Sequence, residues 1–373
     1  MTGARVSRRL DRLLRDSPLL HGTPKDRWVI LSDLHIGDGS PRDEFRHNKD
    51  LVHRALEAHY LPRRFRLILN GDIEDLYKFP LRAITTANRD TFDLFAQFQR
   101  DAGLYKITGN HDLDLTLHNP ALLRFPLLPG LRLRFGEQET FILHGHQADF
   151  LTHGCHRLVS LFMRHVATPL RIPNGGVAHD SGKRYRTEKL IYDFAKSRGL
   201  LAIIGHTHRP LFESLSRIDY LKFEIEKLCR AYPRADAAER EALGRKARLY
   251  QTELQQALDK GPSNGARAGL YDSGRLLPCV FNSGCATGKR GVTAIEIADG
   301  QISLVFWFDP DRTTKYFNFN GYRPEALLGT PYYRVPLKTD SLDYIHARIR
   351  LLAWGQPAGA DAAGPIEELS NTA

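Results

Sequence analysis

Histidine, aspartate and asparagine side chains recur in short motifs, each of which follows an apolar run. Imidazole nitrogens, carboxylates and an amide oxygen are ligands that suit divalent ions such as Mn²⁺, Fe²⁺ or Zn²⁺. Cysteine is absent from the motifs, which argues against a structural zinc site. In chain order they are Asp33-Leu34-His35, Gly71-Asp72, Gly109-Asn110-His111-Asp112, His144-Gly145-His146, Gly205-His206-Thr207-His208 and, as a weaker sixth, Asn282-Ser283-Gly284.

The candidate ligands are too many for one catalytic ion that keeps open positions. They fit two ions that share a bridging carboxylate, an arrangement that holds the ions about 3.5–4 Å apart and clamps the oxygens of a phosphoryl displacement. Such a pair lowers the pKa of a bridging water, so that hydroxide forms near neutral pH. The set predicts a dinuclear phosphoesterase site and consists of Asp33, His35, Asp72, Asn110, His144, His206 and His208.

The apolar runs in front of the motifs predict the elements that position them. Residues 28–31 precede Asp33, residues 65–69 precede Asp72, and residues 200–204 precede His206. Short apolar runs that end at Gly or a polar residue are typical of buried strands. Ligands gather outside the carboxyl ends of strands in open α/β sheets. The motif residues are therefore expected at one edge of the fold.

The motif order resembles the calcineurin-like metallophosphoesterase superfamily over roughly residues 28–308, with one interruption. The resemblance implies that Asp72 bridges two ions and that His111 is not a ligand but faces the scissile phosphate and protonates the leaving oxygen. It also implies that Asp112 orients His111. The first ion would be held by Asp33, His35 and His208, and the second by Asn110, His144 and His206.

Departures from the branches of this superfamily restrict the resemblance. Protein serine/threonine phosphatases carry Glu where this chain has Asp112, and Arg-Gly where it has Ile73-Glu74. The ending Gly-His-Thr-His-Arg-Pro at Pro210 is shared with the bacterial UDP-2,3-diacylglucosamine hydrolases. Those hydrolases usually have Asp at the position of His146 and Arg at that of His111. The resemblance to that branch is therefore partial.

Alternation of strands and helices up to Asp112 predicts parallel strands. Helices are expected at 43–58 and 89–102, and short strands at 131–135, 140–143, 200–204, 280–282, 292–297 and 302–308. Asp299-Gly300 predicts a hairpin between the last two strands. The fold class that follows is an α/β four-layer αββα sandwich of two mixed sheets flanked by helices, with a helical-hairpin insertion.

Changes in composition divide the chain into five segments. An apolar helix candidate around Leu158–Val166 and a basic stretch at Lys183–Arg186 mark a cap candidate, and a charged Ala/Leu-rich stretch split by Pro233 marks a helical hairpin. The predicted segments are a basic arm (1–26), a first part of the core (27–212, with the cap candidate at 150–198), the helical insertion (213–268), the closing strands (269–312) and a C-terminal extension (313–373) whose tail is disordered from Trp354.

Composition favours a cytoplasmic protein. The arginines from Arg5 to Arg15 interrupt any signal-peptide core, and the four cysteines lack paired metal spacing. The net charge of +10 suits anionic substrates. Two alternatives stay open for the basic arm: its leucines pack on the core, which we favour, or they contact an anionic membrane surface at the inner face.

The leading functional hypothesis is a phosphohydrolase that uses a metal-bridged hydroxide to cleave a phosphodiester or pyrophosphate bond of a nucleotide or nucleotide-lipid. We expect two divalent ions, Mn²⁺ first, with Fe²⁺ or Zn²⁺ as alternatives. A DNA or RNA nuclease and a phosphomonoesterase are alternatives within the superfamily, although nucleic acid is not favoured. A non-catalytic metal-binding scaffold is the alternative from another class. His146 could contact substrate or support its loop, and Asn282 could orient a ligand loop or end a strand.

Overall fold

The computed structural model describes residues 3–117, 124–149, 181–213, 217–259, 277–287, 291–313 and 322–353. They form two mixed β-sheets with helices packed against them, which confirms the predicted fold class. The strands are β1 (Leu19–Gly22), β2 (Trp28–Leu31), β3 (Arg66–Asn70), β4 (Leu104–Ile107), β5 (Leu127–Leu128), β6 (Leu131–Phe135), β7 (Gln138–Ile142), β8 (Leu201–Ile204), β9 (Val280–Asn282), β10 (Val292–Ala298), β11 (Gln301–Phe308), β12 (Glu325–Ala326) and β13 (Tyr333–Ser341).

One sheet has the order β12-β13-β11-β10-β2-β3-β4-β5 and the other β1-β6-β7-β8-β9. Strands β2 to β5 run parallel, as do β7, β8 and β9. The α-helices are α1 (Gly3–Asp16), α2 (Lys49–Arg54), α3 (Leu81–Ala87), α4 (Arg89–Asp101), α5 (Ser181–Arg198), α6 (Arg217–Ala231), α7 (Ala237–Asp259), α8 (Pro310–Thr313) and α9 (Leu342–Ala353).

Alternation along the central strands divides the core into two clusters. In β2, Ile30 belongs to a cluster shared with the five-stranded sheet, while Val29 and Leu31 belong to a cluster with the helices on the opposite face. This follows because successive side chains of a strand point to opposite faces. The large sheet is therefore covered on both faces, and the carboxyl ends of its parallel strands lie at its edge.

The helix predicted at 89–102 is confirmed as α4, which buries Phe92, Phe95 and Phe98. The helix predicted at 43–58 is broken into a 3₁₀ turn (Phe45–His47), α2 and a π-helical stretch (Ala55–Tyr60). The predicted strands are confirmed to within two residues at each end. Left-handed backbone at Asp299 (φ 51°) and Gly300 (φ 72°) forms the expected tight hairpin between β10 and β11.

The basic arm packs as we favoured. Val6 and Leu10 of α1 are buried in the core, with Leu13 and Leu14 partly buried against it. Within the described ranges, every helix falls short of the length and apolar character needed to cross a membrane.

Helices α6 and α7 pack against each other and form the predicted hairpin. The basic stretch at Lys183–Arg186 lies in the first turns of α5, as expected. The apolar candidate at 158–166 and the tail from Trp354 lie outside the described residues.

Candidate metal centre and active site

The candidate ligands lie just past the ends of parallel strands in both sheets. Asp33 follows β2, Asp72 follows β3, and Asn110 follows β4, while His144 and His206 follow β7 and β8 of the other sheet. These five side chains are buried. The carboxyl-terminal edges of the two sheets thus meet around a single group of polar side chains, as the motif positions predict.

The backbone of the motif loops is tightly constrained. Asp33, His35, Asp72, His206 and His208 have positive φ angles of 54°, 49°, 54°, 63° and 54°. Residues other than glycine in this region cost about 1–3 kcal/mol each and cluster at functional sites. The amides of residues 33 and 35 donate to the carbonyls of residues 71 and 72 at 3.0 Å. The first two motifs are therefore held against each other by their main chains.

Gly109 allows the third motif to approach the second. A Cβ at this position would lie 2.1 Å from Asp72 Oδ1 and 2.2 Å from Asp72 N. The close approach lets the amide of His111 donate to Asp72 Oδ1 at 2.8 Å. That bond engages one carboxylate oxygen and leaves Oδ2 on the side of the histidines.

One candidate ligand group, a set of side chains that could hold a metal ion, consists of Asp33, His35 and His208. His208 Nε2 lies 3.1 Å from both Asp33 Oδ1 and His35 Nε2. Burial, together with the charge of the neighbouring His111, lowers the pKa of His35 to about 4. Burial also disfavours the charged form of His208, but Asp33 outweighs it and raises the pKa of His208 well above its usual value. The group therefore consists of the Asp33 carboxylate, a neutral His35 imidazole and a His208 imidazole that favours its charged form.

A second group consists of Asp72, His144 and His206. His144 Nε2 lies 3.3 Å from Asp72 Oδ2, and its Nδ1 lies 2.8 Å from the carbonyl of Asn70. A proton on Nδ1 that is donated to this carbonyl leaves Nε2 as a ligand atom. His206 Nε2 and Asn110 Oδ1 are buried without a hydrogen-bond partner among the described residues. Buried polar atoms of this kind call for an ion, a proton or a water.

Asp72 joins the two groups. Its Oδ2 lies 3.3 Å from His144 Nε2 in the second group and 3.8 Å from His35 Nε2 in the first. Burial opposes ionisation of Asp72, but His144 and His111 lower its pKa well below the usual value. Burial likewise opposes the charged form of His144, yet Asp72 and Asp33 raise its pKa to about 9. Positive charge is thus favoured beside Asp72, and a metal ion would replace a proton there.

The ligand atoms of each group lie within 4.8 Å of one another, which is compatible with a metal ion. His, Asp and Asn oxygens and nitrogens match the donors that Mn²⁺, Fe²⁺ and Zn²⁺ accept. The residues present therefore fit the expected cofactor, while the number and identity of the ions stay predictions.

His111 lies beside the first group, and its carboxylate partner differs from the one expected. Its ring meets that of His35 edge-on with centroids 4.5 Å apart and lies 4.2 Å from the ring of Tyr77. Its Nδ1 is 2.8 Å from Asp75 Oδ1. Burial disfavours the charged form of His111, but Asp72 and Asp75 outweigh it and raise its pKa. Among the described residues, Asp75 is thus the carboxylate placed to orient the ring.

Asp112 accepts hydrogen bonds from main-chain amides and does not contact the ring of His111 as expected. Its two oxygens accept the amides of Gly109 at 2.6 Å and Ile73 at 2.9 Å. Because these amides belong to different motifs, Asp112 ties the loop after β4 to the loop after β3. Lys106 Nζ lies 2.5 and 2.7 Å from the two carboxylate oxygens of Glu74, and both side chains are buried.

The structure decides between the alternatives for Asn282 but not between those for His146. Asn282 Nδ2 donates to Gly205 O at 3.0 Å and to Thr207 Oγ1 at 2.8 Å, so this residue orients the last ligand loop. His146 is buried, with its ring centroid 5.5 Å from that of His144 and 6.4 Å from that of His206. It borders the second group, and the choice between substrate contact and loop support stays a prediction.

Asp75 was missed by the motif reading. A signal was present, because Asp75 stands three residues after Asp72 in a loop where Glu74 and Asp75 add two further carboxylates. Glu188, a fully buried acid on α5 that contacts the last ligand loop, was also missed. No motif surrounds it, and only the fold brings it to the site.

Comparison with known proteins finds no matching protein-family model and no similar curated protein. Among solved structures, similarity is found to a conserved uncharacterised protein of Streptococcus pneumoniae that is described as a predicted phosphoesterase. The match covers 77% of this chain and 91% of that chain, with 12% sequence identity and a TM-score of 0.30. Similarity this low carries no argument about activity, which has to rest on the residues of this chain.

Proposed function

We propose that this chain is a metal-dependent phosphohydrolase that cleaves a phosphodiester or pyrophosphate bond of a nucleotide or nucleotide-lipid. The observation that supports it is the pair of buried ligand groups joined by Asp72, with His111 beside them. Asp33, His35 and His208 would hold one ion, and Asn110, His144 and His206 the other. When bound, the ions would supply an activated water and neutralise charge on the phosphoryl group.

The residues of the chain would bind the metals, orient His111 and move one proton. Asp75 engages Nδ1 of His111 and so leaves Nε2 as the nitrogen that gives a proton to the leaving oxygen. The raised pKa of His111 favours the protonated, acidic form before transfer. A proton donor matters most where an alkoxide or a phosphate must leave, and this favours diesters and diphosphates over activated monoesters.

The experiment is hydrolysis by the purified full chain with Mn²⁺, measured alongside metal content. The substrates are a phosphomonoester, a phosphodiester, a nucleoside-diphosphate conjugate and single-stranded DNA. Asp72→Ala removes the residue shared by both groups, and Asp93→Ala removes an exposed carboxylate on α4 as the matched control.

Cleavage of the diester or diphosphate that is lost only in Asp72→Ala would support the proposal. Full activity in Asp72→Ala would refute it, since no bridging role could then be assigned to this residue. Bound metal without cleavage of any substrate would favour the non-catalytic scaffold. Preferential cleavage of DNA that weakens steeply with salt would favour the nuclease.

A further inference from the structure

The loop that carries the last two histidines is strained and buried. Thr207 stands between His206 and His208, is fully buried, and donates its amide to Gly205 O at 2.7 Å across a very tight turn. Both flanking histidines have positive φ angles. Such a loop needs contacts from outside itself, because two non-glycine residues in this region cost about 1–3 kcal/mol each.

The hydroxyl of Thr207 takes part in a hydrogen-bond chain with a fixed direction. Asn282 Nδ2 lies 2.8 Å from Thr207 Oγ1, and an amide nitrogen can only donate. The hydroxyl therefore accepts from Asn282 and gives its own proton to Glu188 Oε1 at 2.8 Å. A threonine hydroxyl has one proton, so Glu188 is the acceptor that sets its orientation.

Glu188 also contacts the residue on the other side of His208. Its Oε2 lies 3.0 Å from the guanidinium of Arg209. Both carboxylate oxygens thus engage the residues that flank His208 in sequence. The side chains of Glu188 and Thr207 are fully buried, so solvent does not weaken the contact between them, whereas Arg209 is partly exposed.

The two histidines of this loop belong to different ligand groups. His206 lies with Asp72 and His144, whereas His208 lies with Asp33 and His35. A displacement of the loop by a few tenths of an ångström would therefore disturb both groups together. Glu188 comes from α5, in the chain segment between the His144 and His206 motifs, and not from a strand end.

We propose that Glu188 is a positioning residue that sets the geometry of both ligand groups by holding Thr207 and Arg209. The inference rests on the proposed metal site, and it adds a residue of the cap candidate (150–198) to the side chains that position the ligands. Groups that orient metal ligands typically contribute a factor of about 10–100 in metal affinity.

The test measures Mn²⁺ affinity of the metal-free full chain by titration calorimetry. Glu188→Ala and Thr207→Val should each weaken Mn²⁺ binding by about 10–100-fold, whereas Thr207→Ser keeps the hydroxyl and should bind as the wild type does. Thr207→Val is nearly isosteric and removes the hydroxyl that joins Asn282 to Glu188, so it tests the same hydrogen-bond chain if Glu188→Ala fails to fold.

Glu296 supplies a matched control far from the ligands in sequence and on β10. It accepts a hydrogen bond from the Tyr60 hydroxyl at 2.7 Å and pairs with Arg334, so it is also a buried acid between a hydroxyl and an arginine. Glu296→Ala should lower the thermal midpoint of the metal-free chain and leave Mn²⁺ affinity unchanged.

Wild-type affinity in both Glu188→Ala and Thr207→Val would overturn the inference. An equal loss in Glu296→Ala would overturn it as well, because the effect would then be one of general stability. The affinity comparison does not depend on turnover. A wild-type chain that binds Mn²⁺ but hydrolyses no substrate would refute the phosphohydrolase while the variants still decide the role of Glu188.

Discussion

Replacement of Asp75 by Asn tests the assignment of the residue that orients His111. The carboxylate is almost fully buried, lies 2.8 Å from His111 Nδ1 and 3.0 Å from Lys78 Nζ, and its pKa lies below the usual range because these cations outweigh the cost of burial. Asparagine keeps the volume and one oxygen but removes the charge that favours a protonated, correctly oriented imidazole.

The magnitude of the effect on kcat follows from the contact with His111, because the contact with Lys78 does not touch the group that transfers the proton. A hydrogen bond between charged groups contributes about 1.5–3 kcal/mol, and each 1.36 kcal/mol in the barrier is a factor of ten in rate. Asp75→Asn should therefore lower kcat by roughly 10- to 150-fold. His111→Ala removes proton transfer altogether and should cost about 10²–10⁴-fold, which sets the upper bound.

The assay compares kcat at saturating Mn²⁺ and substrate with metal content measured on the same samples. Glu44→Gln is the matched control, because Glu44 pairs with the same Lys78 at 3.0 Å but belongs to a different loop from Asp75. Unchanged kcat in Asp75→Asn would refute the orienting role. Loss of bound metal in that variant would show that Asp75 acts as a ligand and not through His111.

Three further perturbations test the ligand groups and the fold. Asp72→Ala should abolish turnover and lower the bound metal while the chain stays folded by circular dichroism. Gly109→Ala would place a Cβ 2.1 Å from Asp72 Oδ1 and should lower metal content, whereas Gly244→Ala, whose Cβ would meet nothing closer than 3.8 Å, should not. Burial lowers the pKa of His346 to about 4. The neutral ring of His346 therefore contributes to the free energy of unfolding above the pKa of the unfolded chain, about 6.5, and this contribution is lost as the pH falls toward 4. His346→Leu should reduce the difference in the free energy of unfolding between pH 7 and pH 4.5 by up to about 3 kcal/mol, as measured by urea unfolding at both pH values.

The sequence predicts the central architecture because strand ends and motif positions coincide. The apolar runs are largely buried, and each ends where a polar motif begins, so the strand bounds were recoverable to within two residues. The neighbouring positions of Asp33 and Asp72 follow from the parallel pairing of β2 with β3, and those of His144 and His206 follow from the parallel pairing of β7 with β8 in the other sheet. Their role as metal ligands stays a prediction that metal analysis has to test.

The strand β13 escaped prediction for an identifiable reason. It contains Pro336, and proline within a run argues against a strand paired on both sides. In the structure, β13 pairs with β11 and β12, and its register with β11 shifts between Leu304 and Val305, with Val305 opposite Pro336. The irregularity accommodates a residue that has no amide to donate. The extra residue at this shift is Leu337 of β13 itself, and β12 pairs only with Tyr333 and Arg334, so Pro336 has a strand neighbour on one side.

The assignment of Asp112 shows why neighbours in sequence are poor guides to partners in a loop. His111 and Asp112 are consecutive, yet Asp112 turns toward the amides of Gly109 and Ile73, where two loop main chains need an acceptor. The ring of His111 is met by Asp75, which comes from the loop after the adjacent parallel strand. At this edge, the loops after the paired strands β3 and β4 lie side by side, so the ring of His111 contacts Asp75 and not its flanking residue Asp112. Orienting groups in this site should therefore be sought one strand away, or, as with Glu188, on the helix packed behind the loop.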